Sequence, residues 1–257
     1  MKKFSLKRVA LTAVLAASLG GCAVVPPSAG DSPNDPWEIF NRQTNAFNMT
    51  MDEYVLHPVA TTYVEWVPEP VRNSVSNVFD NLTEPRNSLN NFLQGKVSDG
   101  FVSLARFLIN STVGVVGLFD VADHMNLKAA PEDFGQTLAV WGVPSGPYVV
   151  WPMLGPSTVR DSVAGVPMDW VAQPSFWLFT DSEDWKYSLP LMALNAVDMR
   201  VRLLPADAML KTALDPYVAM REAYLSNRNN LVYDGNPPLV LQADEFEDDW
   251  EDEEGEK

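Results

Sequence analysis

The sequence predicts an all-α protein, built from amphipathic helices and preceded by a signal segment that ends at a cysteine. A basic start and a short uncharged run lead to Leu19-Gly20-Gly21-Cys22, an arrangement typical of a secretory signal. Further along, apolar residues recur at spacings of three and four, as they do in amphipathic helices. The 26 residues 134–159 carry no charge. Their many prolines and glycines nevertheless exclude a straight helix, so this segment predicts a hairpin-like apolar loop.

The signal ends at the single cysteine of the chain. Its uncharged run from Val9 to Gly21 is too short to cross a bilayer, which requires roughly 20 residues. Leu19–Cys22 resembles the bacterial lipoprotein signal, in which the cysteine thiol is acylated and becomes the mature N-terminus. We therefore expect residues 1–21 to be removed and Cys22 to be the lipid anchor. The residue after it is Ala23 rather than Asp, and by resemblance to lipoprotein sorting this favours the outer membrane, on its periplasmic side.

Charge excludes one class of partner. The formal net charge is −16, and the segment from Asp244 to Lys257 alone holds ten acidic residues and one lysine. Nucleic-acid binding needs clustered Lys and Arg, so no nucleic-acid partner is expected. We expect residues 232–257 to form an acidic disordered tail and residues 22–34, rich in Pro, Ser and Gly, to form a flexible tether.

The first predicted helix begins at Asp35-Pro36-Trp37-Glu38, with Asp35 as N-cap and Pro36 in the first turn. It carries two rows of side chains on neighbouring faces. One is an apolar stripe formed by Trp37, Phe40, Thr44, Phe47, Met51 and Tyr54. The other is a row of amides formed by Asn41, Asn45 and Asn48. These amides either line a polar path or cap the ends of neighbouring helices.

Further helices follow from the same periodicity and from the positions of Pro and Gly. We predict that Glu84-Pro85 ends the second helix. The predicted ranges are Glu69–Leu82, Arg86–Gln94, Lys96–Ser111, a turn at Phe119–Met125, a helix from Phe134 to Trp141, another from about Ser157, Asp184–Leu204 and Pro216–Leu231.

The apolar loop spans Gly142–Gly155 and joins two predicted helices. Unpaired backbone is costly in hydrocarbon, so the loop packs on protein or lines a cavity. One interpretation is a mobile gate, and the other is a static packing hairpin. The candidate gating residues are Gly142, Gly146, Tyr148, Trp151 and Gly155. The aromatic segment Trp170–Phe179 likewise has two interpretations, a membrane–water boundary or a corner between helices.

Chemistry-bearing motifs do not emerge from the sequence. The two histidines lack metal-ligand spacing with other residues, and neither a phosphate-binding glycine loop nor a Gly-x-Ser-x-Gly nucleophile motif occurs. Asp215, Arg221 and Glu222 form a predicted ion-pair group at a helix start. We therefore expect a protein that is not an enzyme and that has no cofactor and no metal.

An ordered set of short motifs resembles the VacJ/MlaA outer-membrane lipoproteins between about Asp35 and Asn230. The motifs are Asp35-Pro36-Trp37-Glu38, Phe40-Asn41-Arg42, Phe47-Asn48, His57-Pro58-Val59, Asn81-Leu82, Glu84-Pro85, Asn91-Phe92-Leu93-Gln94-Gly95, Arg106-Phe107, Asn110-Ser111, Asp120-Val121-Ala122, Phe134-Gly135, Trp141-Gly142-Val143, Gly146-Pro147-Tyr148, Arg160-Asp161, Asp215-Pro216-Tyr217 and Arg221-Glu222-Ala223-Tyr224.

The resemblance implies a helical domain at residues 35–231, shaped as a ring-like or flat bundle of amphipathic helices embedded in the membrane around a polar channel. It also implies removal of misplaced phospholipids from the outer leaflet of the outer membrane. The implied partners are phospholipid, an outer-membrane porin trimer and a soluble periplasmic phospholipid carrier. The candidates for the lipid path are Asn41, Asn45, Phe47 and Asn48. Two alternatives stay open, a structural or scaffolding envelope lipoprotein without a lipid path and a lipid-modifying enzyme.

Overall fold

A computed structural model describes residues 25–26, 29–30, 32–174 and 185–238 of the chain. The predicted anchor Cys22, the aromatic residues Phe176, Trp177 and Phe179, and the acidic residues from Asp244 onward lie outside these ranges.

Within these ranges the protein is mostly helical, as predicted. The α-helices are α1 Glu38–Met51, α2 His57–Trp66, α3 Glu69–Leu93, α4 Val97–Thr112, α5 Val121–His124, α6 Phe134–Val140, α7 Val166–Ala172, α8 Trp185–Leu203, α9 Asp207–Thr212 and α10 Pro216–Val232. π-Helical turns at Asp52–Leu56 and Asp161–Gly165 lead into α2 and α7, and a 3₁₀ turn at Leu204–Ala206 joins α8 to α9.

The start of α1 differs from the prediction. The helix begins at Glu38, and Asp35 does not cap it. The Asp35 side chain is instead fully buried and accepts hydrogen bonds from Asn41 and Tyr217. The predicted N-cap is wrong because long-range partners in the interior bind this carboxylate more favourably than the local backbone N–H groups do.

Helices α3 and α4 form an antiparallel hairpin around Gly95, whose φ of 80° suits a residue without Cβ. The predicted break at Glu84-Pro85 is wrong, because α3 runs through Pro85 as one helix of 25 residues. An internal proline removes one backbone hydrogen bond and costs about 3 kcal/mol. Two contacts join this part of α3 to α4, a buried ion pair between Glu84 and Arg106 and a hydrogen bond of 2.8 Å from Ser88 Oγ to the Gly100 carbonyl.

The apolar segment contains a true β-hairpin. Strand β1, Tyr148–Trp151, pairs antiparallel with β2, Gly155–Thr158, so that Tyr148 faces Thr158 and Trp151 faces Gly155. Ser157 therefore belongs to a strand, and the helical segment that we predicted from Ser157 begins at residue 159 instead. The ladder satisfies backbone groups that an open loop would leave unpaired.

The distribution of polarity is inverted relative to that of a water-soluble protein. Among the described residues, twenty-four polar or charged side chains are buried and six apolar ones are: Ala60, Ala122, Tyr148, Val149, Val150 and Tyr217. Large apolar side chains instead lie on the outside, among them Trp66, Phe101, Val163 and Leu189. Such an apolar exterior suits a hydrocarbon environment.

None of the helices in the described ranges combines the length and the apolar character that crossing a membrane requires.

Candidate functional site

Two amides of the predicted row hold the hairpin against α1. Asn41 Nδ2 donates to the Tyr148 carbonyl at 3.1 Å, and Asn41 Oδ1 accepts from the Val150 N–H at 2.8 Å. Seven residues further along α1, Asn48 Nδ2 donates to the Trp151 carbonyl at 2.9 Å and Oδ1 accepts from the Met153 N–H at 2.7 Å. The two side chains thus bind the edge of β1 and of the turn that follows it, much as a neighbouring strand would.

Asn45, between them in the row, is also buried, and Phe47 is half-buried. Thr44, beside Asn45, is buried, and its Oγ1 has no hydrogen-bond partner within the described ranges. In contrast, the side chains of Trp37 and Phe40 are about half exposed. Thr44, which we predicted in the apolar stripe, therefore lies with the amides on the inward face, whereas Trp37 and Phe40 of that stripe point outward.

The amide row has a role that neither of our two interpretations included. Asn41 and Asn48 bind the backbone of a strand, not the end of a helix. Asn41 uses both N–H groups and its Oδ1 in bonds to the hairpin and Asp35, whereas Asn48 donates one N–H to the described residues. Asn45, Thr44 and the second N–H of Asn48 therefore remain on this face for a passing molecule.

The hairpin has a buried base and an exposed tip. Tyr148 and Val150 are fully buried, and the Tyr148 ring packs against Tyr217 and Tyr224 of α10, with ring centroids 6.4 and 5.9 Å apart. Burial raises the pKa of the Tyr148 hydroxyl well above its usual range. At the other end, the Met153 side chain is 75% exposed.

The remaining gating candidates lie around this hairpin. The Trp151 side chain donates from Nε1 to Ser162 Oγ at 2.7 Å. Gly142, Gly146 and Gly155 have φ values of 87°, 68° and 82°, a left-handed region in which side chains are strained. Left-handed backbone therefore occurs at both ends of the segment, at Gly142 before the hairpin and at Gly155, the first residue of β2.

Asp35 joins α1 to α10 in the interior. Its Oδ1 accepts from Asn41 Nδ2 at 2.7 Å, and its Oδ2 accepts from the Tyr217 hydroxyl and from Arg221 Nη1. Burial, followed by the hydrogen bond to the Asp35 carboxylate, raises the pKa of Tyr217 far above its usual range. The Tyr217 hydroxyl therefore stays protonated and keeps donating to Asp35.

A second ion-pair system lies next to it. Arg42 bonds to Glu38 and to Asp215, both at 2.7 Å, and its guanidinium stacks 4.5 Å from the centre of the Tyr217 ring. Asp215 also caps α10 by accepting from the Tyr217 N–H at 2.9 Å. The hydrogen bond from Arg42 holds the pKa of Asp215 below its usual range.

The ion-pair group predicted at the start of α10 is only half right. Arg221 does pair with Glu222 at 2.9 Å, but Asp215 pairs with Arg42 instead. These charges border a cavity of about 520 Å³ lined by Pro26, Ser32, Glu38, Arg42, Asp215, Val218 and Arg221.

A third ion-pair system connects the N-cap of α6, the π-helical turn before α7, and α10. Arg228 binds Asp133 through two nitrogens and lies 2.8 Å from Asp161, which also pairs with Arg160. Burial alone would raise the pKa of Asp133, but hydrogen bonds from Arg228 and its charge outweigh burial and hold the pKa low. Asp169 makes no ion pair with any residue that the structure describes, and burial raises its pKa to about 6.

The sequence analysis missed a second amide row, on α3. Asn87, Asn90 and Asn91 are buried and Gln94 is half-buried. Asn90 Oδ1 accepts from Thr137 of α6, and Asn91 Nδ2 donates to the Ala130 carbonyl. The spacing of these four amides matches the inward face of a helix, which was the available signal. All four amides lie within the predicted helix Arg86–Gln94, where we did not consider them as a row.

This geometry offers polar surfaces rather than reactive groups. Amides and paired charges line the interior, and the described residues include no group of three His, Cys, Asp or Glu side chains placed to hold a metal ion. What the arrangement can do chemically is to hydrogen-bond a polar group that passes between helices.

Comparisons with known proteins agree with this geometry. The family model described as "MlaA lipoprotein" matches residues 33–231. The chain is 36% identical to proteins called "Intermembrane phospholipid transport system lipoprotein MlaA" from Shigella flexneri and from Escherichia coli strain K12. Each alignment covers 97% of this chain and 98% of the relative.

The relative of the same name from Haemophilus influenzae is 34% identical over 93% of this chain and 95% of its own length. A solved structure described as "Structural basis for maintenance of bacterial outer membrane lipid asymmetry" superposes with a TM-score of 0.67 at 35% identity. It covers 77% of this chain and 98% of the solved one. On these matches in sequence and in fold, the chain belongs to the MlaA lipoprotein family.

Proposed function

We propose that this protein removes misplaced phospholipids from the outer leaflet of the outer membrane and passes them through a polar channel towards a periplasmic carrier. The observation that carries the proposal is the inverted polarity of the helical body, with an interior of amides and ion pairs and an apolar exterior. The names of the relatives, which refer to intermembrane phospholipid transport, support it.

The physical problem in this function is the lipid headgroup. A phosphate cannot enter hydrocarbon cheaply, so a path across a membrane leaflet must offer hydrogen bonds. An apolar outer surface keeps the protein in the leaflet, while a polar interior lowers the cost of moving the headgroup. In this mechanism the phospholipid is not chemically changed, so the protein acts as a transport component and not as an enzyme.

We place one wall of the path on the inward face of α1, at Thr44 and Asn45. Both are buried, and Thr44 Oγ1 lacks a partner within the described ranges, so it is available to a headgroup. Phe47 lies half-buried on the same helix and would contact the acyl part. Asn41 and Asn48 act here by positioning the hairpin at the edge of the path.

Gating belongs to the exposed tip of the hairpin. Tyr148 and Val150 fix the base in the apolar cluster with Tyr217, whereas Met153 and Leu154 at the tip are largely exposed. A movement hinged at Gly155 would carry the tip without disturbing the base. The static alternative leaves the tip in one position.

Attachment and partners complete the proposal. Cys22 carries the acyl anchor on the periplasmic side of the outer membrane. The apolar exterior would face lipid and an outer-membrane porin trimer, and a soluble periplasmic carrier would receive the phospholipid.

The test uses a Gram-negative strain whose own member of this family is deleted. Expression of the full chain should lower the outer-leaflet phospholipid, measured by labelling its amines from outside with an impermeant reagent. Asn45→Leu should abolish most of this effect, because Leu cannot hydrogen-bond a headgroup, while Thr50→Leu on the exposed side of α1 should not. A fully active Asn45→Leu protein would contradict the proposed path, and an inactive parent chain at normal abundance would favour a scaffolding role.

A further inference from the structure

A small acidic cavity lies away from the amides of α1. It has a volume of about 160 Å³ and sits between the turn that joins α3 to α4 and the C-terminal end of α10. Its lining comprises Asn91, Lys96, Asp99, Ala130, Pro131, Glu132, Asn230, Leu231, Asp234 and Gly235.

The lining carries an excess of negative charge. Lys96 Nζ lies 2.7 Å from Glu132 and 2.6 Å from Asp234, so one cation serves two carboxylates. Asp99, a third acid of the lining, makes no ion pair with any described residue. With three carboxylates and one lysine, the lining has a net negative charge that a further cation would neutralise.

An unmet hydrogen-bond acceptor lies in the same lining. Asn91 is fully buried, and its Nδ2 donates to the carbonyls of Asn87 and Ala130. Its Oδ1 accepts no hydrogen bond from any part of the chain that the structure describes. A buried acceptor without a donor is costly and calls for a partner. Burial also raises the pKa of Glu132 despite Lys96 beside it, as expected where positive charge is insufficient.

The chemistry of the lining selects the ligand. A primary ammonium provides three donors, no acceptor and one positive charge, which meets Asn91 Oδ1 and the excess carboxylate. A trimethylammonium group has no N–H, and proteins bind it through aromatic faces, which this lining lacks. An anionic headgroup would be repelled. The three carboxylates do not form a metal site with one another.

Apolar surface adjoins the cavity along the chain. Phe92 and Leu93 follow Asn91, Val97 follows Lys96, and Phe101 packs edge-on against Phe92 with ring centroids 5.1 Å apart. All four side chains are exposed, with Phe101 at 60%. Lining residues that are followed in the chain by exposed apolar ones suit an amphiphile that carries an amine at its polar end.

We propose that this cavity binds the primary ammonium of an ethanolamine-type phospholipid headgroup while the acyl chains lie along the exposed Phe92–Phe101 surface. The proposal rests on the proposed function, because it names the headgroup class that the phospholipid transporter retains.

The test measures which lipid the protein keeps. Full-length acylated protein in detergent is mixed with equal amounts of phosphatidylethanolamine, phosphatidylcholine and phosphatidylglycerol with identical chains, repurified, and its lipid quantified by mass spectrometry. The parent should retain phosphatidylethanolamine over phosphatidylcholine. Glu132→Gln should reduce this ratio about tenfold, and Asp99→Asn about threefold, since Asp99 is more exposed.

The control is Glu65→Gln, which removes one negative charge from an exposed site on α2 and should leave the ratio unchanged. Asp99→Asn keeps the fold in any case, because Asp99 is exposed and pairs with no described residue. No preference in the parent, or an unchanged preference in both Asp99→Asn and Glu132→Gln, would overturn the proposal.

Two further experiments distinguish a lipid amine from a protein amine as the ligand. They also distinguish failure of the cavity proposal from failure of the proposed function. Soluble glycerophosphoethanolamine should displace the retained lipid. If a lysine peptide binds the cavity while lipid retention ignores the headgroup, the site serves a protein amine and the lipid proposal fails. If retention depends on Glu132 but the parent chain does not lower outer-leaflet phospholipid in cells, the site stands and the proposed function fails.

Discussion

Asn41 and Asn48 lie seven residues apart on α1, and each binds one carbonyl and one N–H of the hairpin backbone. An asparagine amide offers an acceptor and two donors, so one side chain can replace a strand partner at each point. Asn41 has the larger task, because its Nδ2 also donates to the buried Asp35. The spacing of the amides was visible in the sequence, but their partners lie more than one hundred residues away and could not be read from it.

We expect Asn41→Asp to lower the free energy of unfolding by about 2 to 4 kcal/mol, because the change removes both donated bonds and places a charge beside Asp35. Asn48→Asp is the matched control. It keeps the acceptor for the Met153 N–H in a more exposed position, and should cost below about 1 kcal/mol. Denaturant unfolding in detergent measures both variants. If both variants lose the same free energy of unfolding, the burial of Asn41 does not determine how much its hydrogen bonds stabilise the protein.

Asp169 gives a pH-dependent expectation. Its pKa is raised by burial to about 6 from an ordinary value near 3.8, so the folded protein holds this proton more tightly than the unfolded chain does. Its contribution to stability is therefore greatest below about pH 4, falls as the pH rises to 6 and stays low above. The Asp169→Asn variant has no carboxyl to ionise at this site, so it does not lose stability in this way as the pH rises. The variant should be more stable than the parent by about 1 to 3 kcal/mol at pH 7.5.

The same comparison at lower pH is the control for Asp169. Oδ1 of this residue accepts from the Phe134 N–H, and an asparagine retains that acceptor. The gain in thermal stability should shrink steadily from pH 7 to pH 4.5. A gain that is constant with pH would mean that repacking, and not ionisation, explains it.

At the scale of elements, the spacing of apolar residues predicted the positions of the helices well. The positions of Pro and Gly predicted the ends of the helices less well. Lys96–Ser111 and Pro216–Leu231 were predicted, and α4 Val97–Thr112 and α10 Pro216–Val232 are present. Pro85 misled the prediction because its effect is local, whereas the contacts of α3 with α4, such as the Glu84–Arg106 pair, join residues far apart in the sequence. Strands β1 and β2 were not predicted as strands, since their ladder depends on pairing and on the amides of α1 and not on local propensity.

Gly135 shows how closely α6 approaches its neighbours. A Cβ at this position would overlap Asp161 Oδ1 and Arg228 Nη2, two members of a buried ion-pair system. Gly135→Ala should therefore lower the free energy of unfolding by about 2 to 4 kcal/mol, because neither group can move without losing its partner.

Gly142→Ala serves as the comparison for Gly135. A Cβ at Gly142 meets no atom within 4 Å, so this change costs only the strain of a left-handed backbone, about 1 to 2 kcal/mol. A Gly135→Ala protein as stable as the parent, measured by thermal unfolding, would show that the Asp161–Arg228 pair can relax.

At the scale of the whole molecule, the direction of each amphipathic face is what the sequence left open. A stripe of Trp37, Phe40 and Tyr54 has the same periodicity whether it faces a core or a lipid leaflet. The structure has Tyr54 at 74% exposure and Asn41 fully buried. The usual assumption that apolar faces point inward therefore fails for α1.

This inverted polarity alters what we expect of the anchor. Acyl chains on Cys22 would contribute about 0.8 kcal/mol per buried methylene, and several chains make attachment permanent. If the acyl anchor were the only attachment to the membrane, the Cys22→Ser change would release the protein into the soluble periplasmic fraction. Exposed side chains such as Trp66, Phe101 and Leu189 offer a second attachment, at about 25 cal/mol for each Å² of apolar surface removed from water.

We therefore expect the Cys22→Ser protein, purified in detergent and mixed with phospholipid vesicles, to remain with the vesicles after detergent removal. Phe101→Asp combined with Leu189→Asp should then release it, because both side chains are exposed and the change leaves the polar interior intact. The same double change in the acylated parent is the control and should leave it bound. If the Cys22→Ser protein instead separates from the vesicles as a folded monomer, the acyl chains are the sole attachment to the membrane. A protein partner, rather than lipid, must then cover the apolar exterior.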